Sequence, residues 1–270
     1  MKGLENSPES LNIQLRALHL PGFSAYHEEV AAKAEAEGWS FGQFLGHLAE
    51  AELAERERRR LERNLKVSGL PGEKTLATLN LTRLPDKIKR QMPTLCEGGF
   101  VERAENVLSF GLPGRGKTHL LCAIAHELIK RSYRVLFTPA FKLVQRLLIA
   151  KRDLKLEAEL KRLDTFDVVL IDDIGYIQQD RDEMEVLFTF LSDRYERKSV
   201  MITSNLVFSQ WDKIFRDPMT TAAAVDRIVH HSIILEFTGV SVRAEEAKKR
   251  NKTDLTENAL VTATTAEIGE

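Results

Sequence analysis

The part of this sequence that most constrains its fold is residues 111–118, which read Gly-Leu-Pro-Gly-Arg-Gly-Lys-Thr. They fit the phosphate-binding pattern G-x-x-x-x-G-K-[ST] at every required position. Glycines at these spacings let the backbone bend until successive amide hydrogens converge on an anion. The lysine adds positive charge for phosphates, and the threonine hydroxyl is a natural ligand for Mg²⁺. The pattern therefore predicts a site for a nucleoside triphosphate.

The residues that flank this loop have the periodicity that such a site requires. Asn106–Phe110 is a short apolar run typical of a buried strand, and His119–Ile129 is typical of an apolar helix. The N-terminus of a helix favours phosphate, so this setting argues against a chance glycine-rich turn. The residues predicted to bind the nucleotide are Gly111, Leu112, Pro113, Gly114, Arg115, Gly116, Lys117, Thr118 and His119.

Strands alternate with helices in the rest of the chain as far as residue 236. Apolar runs predict strands at Arg134–Thr138, Asp167–Ile171, Val200–Ser204 and Ser232–Glu236. Helical periodicity predicts helices at Ala140–Ala150, at Lys151–Leu163 and around Met184–Leu191. The alternation predicts an α/β fold with a five-stranded parallel sheet, helices on both faces, and a ligand site beyond the C-terminal strand ends.

Two aspartates follow the strand at 167–171 and form the second part of the predicted site. Four apolar residues lead directly into Asp172, which would hold Mg²⁺ across from Thr118. The adjacent Asp173 could orient the attacking water or accept its proton, although an aspartate reaches less far than a glutamate. The alternative is an ordinary turn or helix cap. The phosphate loop some fifty residues upstream favours the metal role.

Two further polar residues are candidates for the chemistry. Asn205 follows the next strand, where its amide could orient water or sense the γ-phosphate, although a turn residue is the alternative. Arg227 lies in the predicted helical stretch 221–229 and could be an arginine finger that acts on a neighbouring subunit. An intrahelical salt bridge with Asp226 is equally compatible with the sequence.

The remaining reactive side chains show weaker patterns. Arg216 and Arg243 are secondary candidates for phosphate contact. The pair His230–His231 has no metal-ligand partner at a useful spacing and is interpreted as structural. Cys96 and Cys122 are far apart without metal-ligand spacing, and Cys122 falls on the apolar helix, which is typical of a core thiol.

The first hundred residues predict helices of a different character. Leu11–Leu18 and Tyr26–Glu37 have helical composition, with Pro21 and Gly22 expected to stop the first. Ser40 and Gln43 form a capping box that begins a long third helix, which Gly69 and Pro71 should end. Arginines are frequent in its late turns and could grip phosphates, namely Arg56, Arg58, Arg59, Arg60 and Arg63. Interspersed glutamates favour a solvated, salt-bridged face instead, namely Glu52, Glu55, Glu57 and Glu62.

The chain as a whole has 270 residues and a formal net charge of −1, which predicts neither nucleic-acid nor membrane binding by overall charge. It has no apolar run of membrane-spanning length and no signal-peptide pattern, so a soluble cytoplasmic protein is expected. Composition divides it into a helical N-terminal module (1–68), a mixed basic linker (69–99), a nucleotide domain (100–247) and a disordered tail (248–270).

These motifs together resemble a known family. They are residues 111–119, Ile-Asp-Asp-Ile-Gly-Tyr (171–176), Arg-Tyr-Glu-Arg-Lys-Ser (194–199), Thr-Ser-Asn (203–205), Phe-Ser-Gln-Trp (208–211) and Ala-Val-Asp-Arg-Ile-Val-His-His (224–231). In this order they resemble the IstB-type transposition helper ATPases of insertion sequences, which are AAA+ proteins related to DnaC-type helicase loaders and the DnaA initiator. The resemblance covers about residues 65–250.

The resemblance implies an AAA+ ATPase that uses ATP and Mg²⁺, oligomerises on duplex DNA, and engages and stimulates a cognate transposase, with DNA binding in the N-terminal helical module. It implies that Lys117 and Thr118 bind nucleotide and metal, that Asp172 and Asp173 form Walker B, that Asn205 is sensor 1 and that Arg227 is the finger. Arg243 is a loose candidate for sensor 2, because no lid domain follows the last strand.

The sequence departs from the common AAA+ pattern in two places, and two alternative functions remain open. Leu112 and Arg115 replace the commoner proline and threonine of the AAA+ loop, and Asp173 stands where many AAA+ proteins carry glutamate, which puts the hydrolysis rate in doubt. A DnaC-like helicase loader would bind single-stranded DNA and a helicase. A small-molecule kinase would need an acceptor pocket and would act without DNA.

Overall fold

A computed structural model describes residues 8–176, 181–206 and 228–237 of the chain. The predicted finger Arg227, the weaker candidates Arg216 and Arg243, and the tail from 248 lie outside the described residues. By their internal contacts the residues form two compact units, Met1–Asn64 and Leu65–Glu270. The domain limits predicted from composition stay predictions.

The elements follow in chain order. The helices in the described ranges are α1 (Pro8–Ala17), α2 (Pro21–Glu37), α3 (Phe41–Ser68), α4 (Asp86–Glu97), α5 (Gly99–Glu102), α6 (Lys117–Lys130), α7 (Ala140–Arg152), α8 (Leu156–Asp164) and α9 (Arg181–Arg194). The strands are β1 (Asn106–Phe110), β2 (Val135–Pro139), β3 (Val168–Asp172), β4 (Ser199–Ser204) and β5 (Ser232–Glu236). Short 3₁₀ turns occur at Leu81–Arg83 and Ile174–Tyr176. In these ranges, no helix is both long and apolar enough to span a bilayer.

In the first unit, α3 supplies a buried carboxylate to the start of α2. The Oε2 atom of Glu52 accepts hydrogen bonds from the backbone N–H groups of Gly22 at 2.6 Å and Phe23 at 3.3 Å. These amides have no partner inside their own helix, so an acid there satisfies them and complements the helix dipole. A Cβ atom at Gly22 would lie 2.6 Å from the Cα atom of Glu52, so only glycine allows this approach.

Two predicted helix boundaries have different outcomes. The capping box is confirmed, because the backbone N–H of Ser40 donates to Gln43 Oε1 at 2.8 Å and the N–H of Gln43 donates to Ser40 Oγ at 3.3 Å. The expectation that Pro21 stops the first helix was wrong. The first helix ends at Ala17, and Pro21 begins α2, where a missing N–H costs nothing because first-turn amides make no bond within the helix.

The second unit contains a five-stranded sheet in the order β2-β3-β4-β1-β5. Every neighbouring pair is parallel, which confirms the predicted fold class. Alternate residues of β3 face opposite sides: Val169 and Ile171 join a buried cluster with side chains of α7, α8 and α9, and Val168 and Leu170 are buried outside that cluster. The carboxyl ends of β1, β3 and β4 therefore lie side by side at one edge of the sheet.

The helix predicted at Lys151–Leu163 begins five residues later in the structure. Lys151 and Arg152 end α7, and α8 begins only at Leu156. The chain reverses at Leu154, whose φ of 56° lies in the left-handed region. The reversal lets both helices bury leucines, Leu147 from α7 and Leu163 from α8, in the same cluster.

At the opposite edge of the sheet, Arg194 joins the segments that lead into β3 and β4. This side chain is 2 % exposed, and its guanidinium donates to four backbone carbonyl groups. They belong to Leu163, Phe166, Asp167 and Ser199, at 2.9 to 3.2 Å. Burial lowers the pKa of Arg194 to about 10, so the group is cationic at neutral pH.

Candidate nucleotide site

The predicted phosphate loop connects β1 to α6, as the periodicity indicates. All three of its glycines have a positive φ, at which a residue with a Cβ atom would be strained. Gly116 precedes α6 with φ 90°. Gly111 has φ 148°, and a Cβ atom there would lie 2.6 Å from the carbonyl oxygen of Phe237. The loop therefore needs glycine for its turn into the helix and for its contact with the end of β5.

Lys117 is the first residue of α6 and is 5 % exposed. Its Nζ atom donates to the carbonyl oxygens of Gly111 at 2.6 Å and Leu112 at 3.0 Å. The backbone of the loop thus holds the Lys117 ammonium group in place, and Lys117 lines the pocket. A cation held at this position attracts phosphate at the N-terminus of a helix.

The acid predicted to hold the metal lies at a junction of three parts of the fold. Asp172 Oδ1 accepts hydrogen bonds from Thr118 Oγ1 at 2.6 Å and from Thr203 Oγ1 at 2.7 Å. Thr118 belongs to α6, and Thr203 belongs to β4. The structure thus brings together two residues that are 54 positions apart in the sequence.

Thr203 is a site residue that the sequence interpretation did not single out. Its hydroxyl is fully buried and serves both aspartates, because it donates to Asp172 and accepts the backbone N–H of Asp173 at 2.8 Å. The available signal was a polar residue two positions before Asn205, directly after three apolar residues of the strand. Buried hydroxyl groups require partners, and the ends of adjacent parallel strands supply them.

Asp173 has an unusual backbone conformation, with φ 58°. Its side chain is exposed and lines the pocket. Aspartate enters the left-handed region more readily than most residues that carry a Cβ atom. The local backbone therefore gives a physical reason for aspartate at the position where many AAA+ proteins carry glutamate.

Asn205 follows β4, beside the two aspartates in the sheet order. Its Oδ1 atom is buried and has no hydrogen-bond partner among the described residues. A Cβ atom built at Gly175 would lie only 2.0 Å from this oxygen, so the turn after the aspartates packs directly against the asparagine amide. An unsatisfied polar atom at the end of the central strands suits contact with a polar ligand or an ordered water.

A cavity of about 450 Å³ opens beside the loop. Its first wall is the loop itself with Lys117, Thr118 and Asp173. Its second wall is the segment before α4, which contributes Lys74, Thr78, Leu79, Asn80, Arg83 and Leu84. Two basic residues of the predicted linker, Lys74 and Arg83, thus line the pocket, which the sequence did not indicate.

Histidine side chains hold this second wall against α6. His119 Nε2 lies 3.1 Å from Thr78 Oγ1 and 3.2 Å from the carbonyl oxygen of Thr75. About two turns further along α6, His126 Nε2 lies 3.1 Å from the carbonyl oxygen of Pro71. His119, a predicted nucleotide contact, therefore lines the pocket and also holds the second wall in place.

Arg115 is bound to the end of β5. Its Nη1 atom donates to the carbonyl oxygen of Phe237 at 2.7 Å, and its Nε atom is buried without a partner among the described residues. The departure from threonine at this loop position thus adds a bond between the loop and the last strand. Leu112, the other departure, is exposed.

The donor set fits a nucleoside triphosphate with Mg²⁺. Mg²⁺ prefers oxygen ligands, and Asp172 and Thr118 place a carboxylate and a hydroxyl together beside the loop. The loop and Lys117 suit phosphate oxygens, the cavity offers room for a nucleoside, and Asn205 leaves one acceptor unused. No described residue in the cavity wall conflicts with either group.

Four of the five candidate DNA-binding arginines of α3 are paired with glutamates of the same helix. Arg58 binds Glu55 at 2.7 Å and Glu62 at 2.5 Å, and Arg59 binds Glu55 at 2.6 Å. The remaining pairs are Arg56 with Glu52 and Arg60 with Glu57. Hydrogen bonds from Arg58 and Arg59 lower the pKa of Glu55 to about 2. This arrangement is that of a salt-bridged face, with the arginine side chains still about half exposed.

Comparisons with known proteins add the family. A model of the IstB-like ATP binding protein family matches residues 13–251. The chain belongs to the IstB-like family. A Sinorhizobium fredii protein named as an insertion sequence ATP-binding protein is 42 % identical over 93 % of this chain and 86 % of its own length. The ATP-binding protein named for insertion sequence IS5376 of Geobacillus stearothermophilus is 35 % identical, over 89 % of this chain and 96 % of its own.

Solved structures agree on the fold of this IstB-like chain. The crystal structure of DnaI superposes with a TM-score of 0.53 at 23 % identity, over 63 % of this chain and 95 % of that one. The fold that the two chains share is the AAA+ P-loop fold. Family and fold together make the chain an ATP-binding ATPase of the AAA+ P-loop type.

Proposed function

We propose that this IstB-like ATPase requires Mg²⁺, oligomerises on duplex DNA, and assists and stimulates a partner transposase. The observation that carries the nucleotide part is the junction at Asp172, which joins the phosphate loop, the acid strand and β4 through two hydroxyl groups. The relatives named for insertion sequences support the transposition part.

The loop and its lysine bind the triphosphate in this proposal. Backbone amides of residues 111–118 surround the phosphates, and the Lys117 ammonium group neutralises part of their charge. The wall of residues 74–84 accommodates the nucleoside. Leu79 and Leu84 supply apolar surface there, and Lys74, Asn80 and Arg83 supply polar groups.

Thr118 and Asp172 hold the metal, since their oxygen atoms already lie together. Bound Mg²⁺ neutralises charge that develops on the β- and γ-phosphates. Asp173 orients the attacking water from the pocket side, and its backbone is fixed for this role by the bond to Thr203. The unsatisfied amide oxygen of Asn205 accepts a hydrogen bond from the same water, or its NH₂ group donates to the γ-phosphate.

Oligomerisation completes the site in this proposal. Arg227, which lies outside the described residues, acts on the nucleotide of a neighbouring subunit as an arginine finger. Such a contact makes hydrolysis depend on assembly. Assembly on duplex DNA then connects ATP turnover with the marking of a target site.

The test is fluorescence anisotropy of a long labelled duplex and of a matched single strand, with ATP and with ADP at fixed salt. Cooperative duplex binding that ATP favours over ADP is expected. Lys117→Ala is the control, because it should remove the difference between the nucleotides. Preference for the single strand would instead support a helicase loader, and no binding to either DNA would support a metabolic phosphoryl-transfer enzyme.

A further inference from the structure

Two histidines and a glutamate meet at the edge of the sheet where the strands begin, away from the phosphate loop. One ligand atom from each of Glu196, His230 and His231 lies within 4.8 Å of the other two. The sequence interpretation found no partner for this histidine pair. The structure places Glu196, which belongs to a turn 35 residues earlier, beside His231.

The side chains are already arranged as neighbouring ligands. His231 Nε2 lies 3.2 Å from Glu196 Oε1. The two imidazole rings contact each other edge to face, with centroids 4.4 Å apart. Glu196 and His230 are exposed, so rotation of their side chains can close the remaining distance to a shared ion.

The backbone that carries the histidines is fixed by Asn106, the first residue of β1. Its N–H donates to the carbonyl oxygen of His231 at 2.7 Å, and its buried side chain donates to that of Ile228 at 3.2 Å. The Oδ1 atom of Asn106 accepts the N–H of Val200 in β4 at 3.0 Å. One buried amide thus positions the histidine segment against the strand that follows Glu196.

The backbone around Glu196 is fixed as well. Glu196 has φ 55°, and the N–H groups of the next two residues donate to the carbonyl oxygen of Arg194 at 3.0 Å. Both of those residues are cationic but bind other acids: Arg197 binds Asp164 at 2.7 Å, and Lys198 binds Asp167 at 2.9 Å. The carboxylate of Glu196 is therefore not neutralised by its neighbours in the chain.

We propose that Glu196, His230 and His231 form a binding site for one divalent transition-metal ion of the Zn²⁺ type. Two imidazole nitrogens and one carboxylate oxygen are a donor set that Zn²⁺ accepts, with water in the fourth position. The ion connects the turn before β4 to the two residues before β5. It therefore fixes residues 230 and 231, and it requires neither nucleotide nor DNA.

Calorimetric titration of the full chain with ZnCl₂ tests this site. The protein must lack a polyhistidine tag, and the buffer must contain no chelator and no nucleotide. Burial raises the pKa of Cys96 to about 11 and that of Cys122 to about 12, so their thiols are poor competitors for the ion. We expect one Zn²⁺ per chain.

The variants are His230→Ala and Glu196→Gln, both at exposed positions. Loss of even an outer-shell partner weakens metal sites by about 10- to 100-fold, so loss of a ligand should weaken Zn²⁺ binding by at least about tenfold. His47→Ala is the matched control, because His47 also lies beside a glutamate, Glu50, but without a second histidine. A wild-type chain without saturable Zn²⁺ binding, or either variant with wild-type affinity, would overturn the proposal.

Discussion

At the scale of single residues, Asp172 is oriented by two hydroxyl donors that bind the same oxygen. Thr118 and Thr203 both donate to Oδ1, and no described residue donates to Oδ2. A carboxylate held in this way keeps one oxygen available for a cation without rotating. The orientation depends on β4 as much as on the phosphate loop, since Thr203 supplies one of the two bonds.

Asp173→Asn tests the role of the second acid. If Asp173 orients or deprotonates water, the substitution should lower kcat about 100-fold or more, because positioned acid–base groups contribute about 10²- to 10⁴-fold. Nucleotide affinity should stay nearly unchanged, since asparagine also enters the left-handed region. Steady-state ATP turnover and binding of a fluorescent ATP analogue measure the two quantities.

Asp153→Asn is the matched control for that measurement. Asp153 is an exposed aspartate in the turn after α7, where it pairs with Arg152. It should leave both turnover and binding unaltered. Wild-type kcat in Asp173→Asn would remove Asp173 from the chemistry and leave it as a turn residue.

The loop and the aspartates could be predicted because their spacing along the chain is itself the signal. Thr203 and Gly175 could not, since their roles depend on which strands become neighbours. Gly175 matters only because Asn205 packs against it, and these residues are thirty positions apart. Local patterns carry no information about such a contact.

At the scale of secondary-structure elements, Arg194 connects the end of α9 to the starts of β3 and β4. Arg194→Ala should lower the free energy of unfolding by about 3 kcal/mol or more, because it leaves four buried carbonyl groups without their charged donor. Urea denaturation followed by circular dichroism measures this change.

Arg197→Ala, three residues later, provides the comparison for Arg194. Arg197 is about half exposed and pairs with Asp164 and Asp193 at the surface. Its loss should cost about 1 kcal/mol or less. Equal effects of the two substitutions would show that the buried guanidinium contributes no more than a surface ion pair.

The arginines of α3 give a second prediction at this scale. Neutralising Arg58, Arg59 and Arg60 together should weaken duplex binding if they contact phosphates. The salt dependence should then flatten, by about 0.9 in slope for each lost contact. Glu55→Gln should have the opposite effect, because it releases Arg58 and Arg59 from their shared partner. Anisotropy titrations over a range of salt concentrations measure both.

A charge-matched control separates this effect from overall charge. Arg103, Lys130 and Lys161 are exposed and lie outside α3. Replacing all three by glutamine removes the same charge and should alter the slope much less. An identical slope in the α3 variant and the wild type would assign the α3 arginines to a solvated face.

Periodicity predicted most elements because each has one buried face. β1 and β5 have the predicted bounds, and the helix α6 begins two residues earlier than predicted. The break between α7 and α8 was predicted too early, after residue 150, because Leu154 is not a residue type that usually marks a reversal. There the packing of two leucines against the core decides the local conformation.

At the scale of the whole assembly, the finger proposed for Arg227 predicts complementation between inactive subunits. Arg227→Ala alone and Asp172→Asn alone should each bind nucleotide and fail to hydrolyse it. An equal mixture should recover about one quarter of the wild-type rate, because random neighbours pair half of the intact sites with an intact finger. Phosphate release from the mixture measures this recovery.

The control mixture combines Arg227→Ala with a chain that carries both substitutions. No site in that mixture has both an intact acid and an intact neighbouring arginine, so the rate should stay at the background. If the first mixture is equally inactive at every ratio, Arg227 does not act between subunits.

The placement of β4 between β1 and β3 has a consequence for how the chain folds. The phosphate loop is synthesised before β4, but Asp172 reaches its final orientation only when Thr203 of β4 has joined the sheet. A growing chain on the ribosome therefore cannot form this site before β4 has emerged. ATP that binds the folded site and not the unfolded chain then stabilises the complete sheet by mass action.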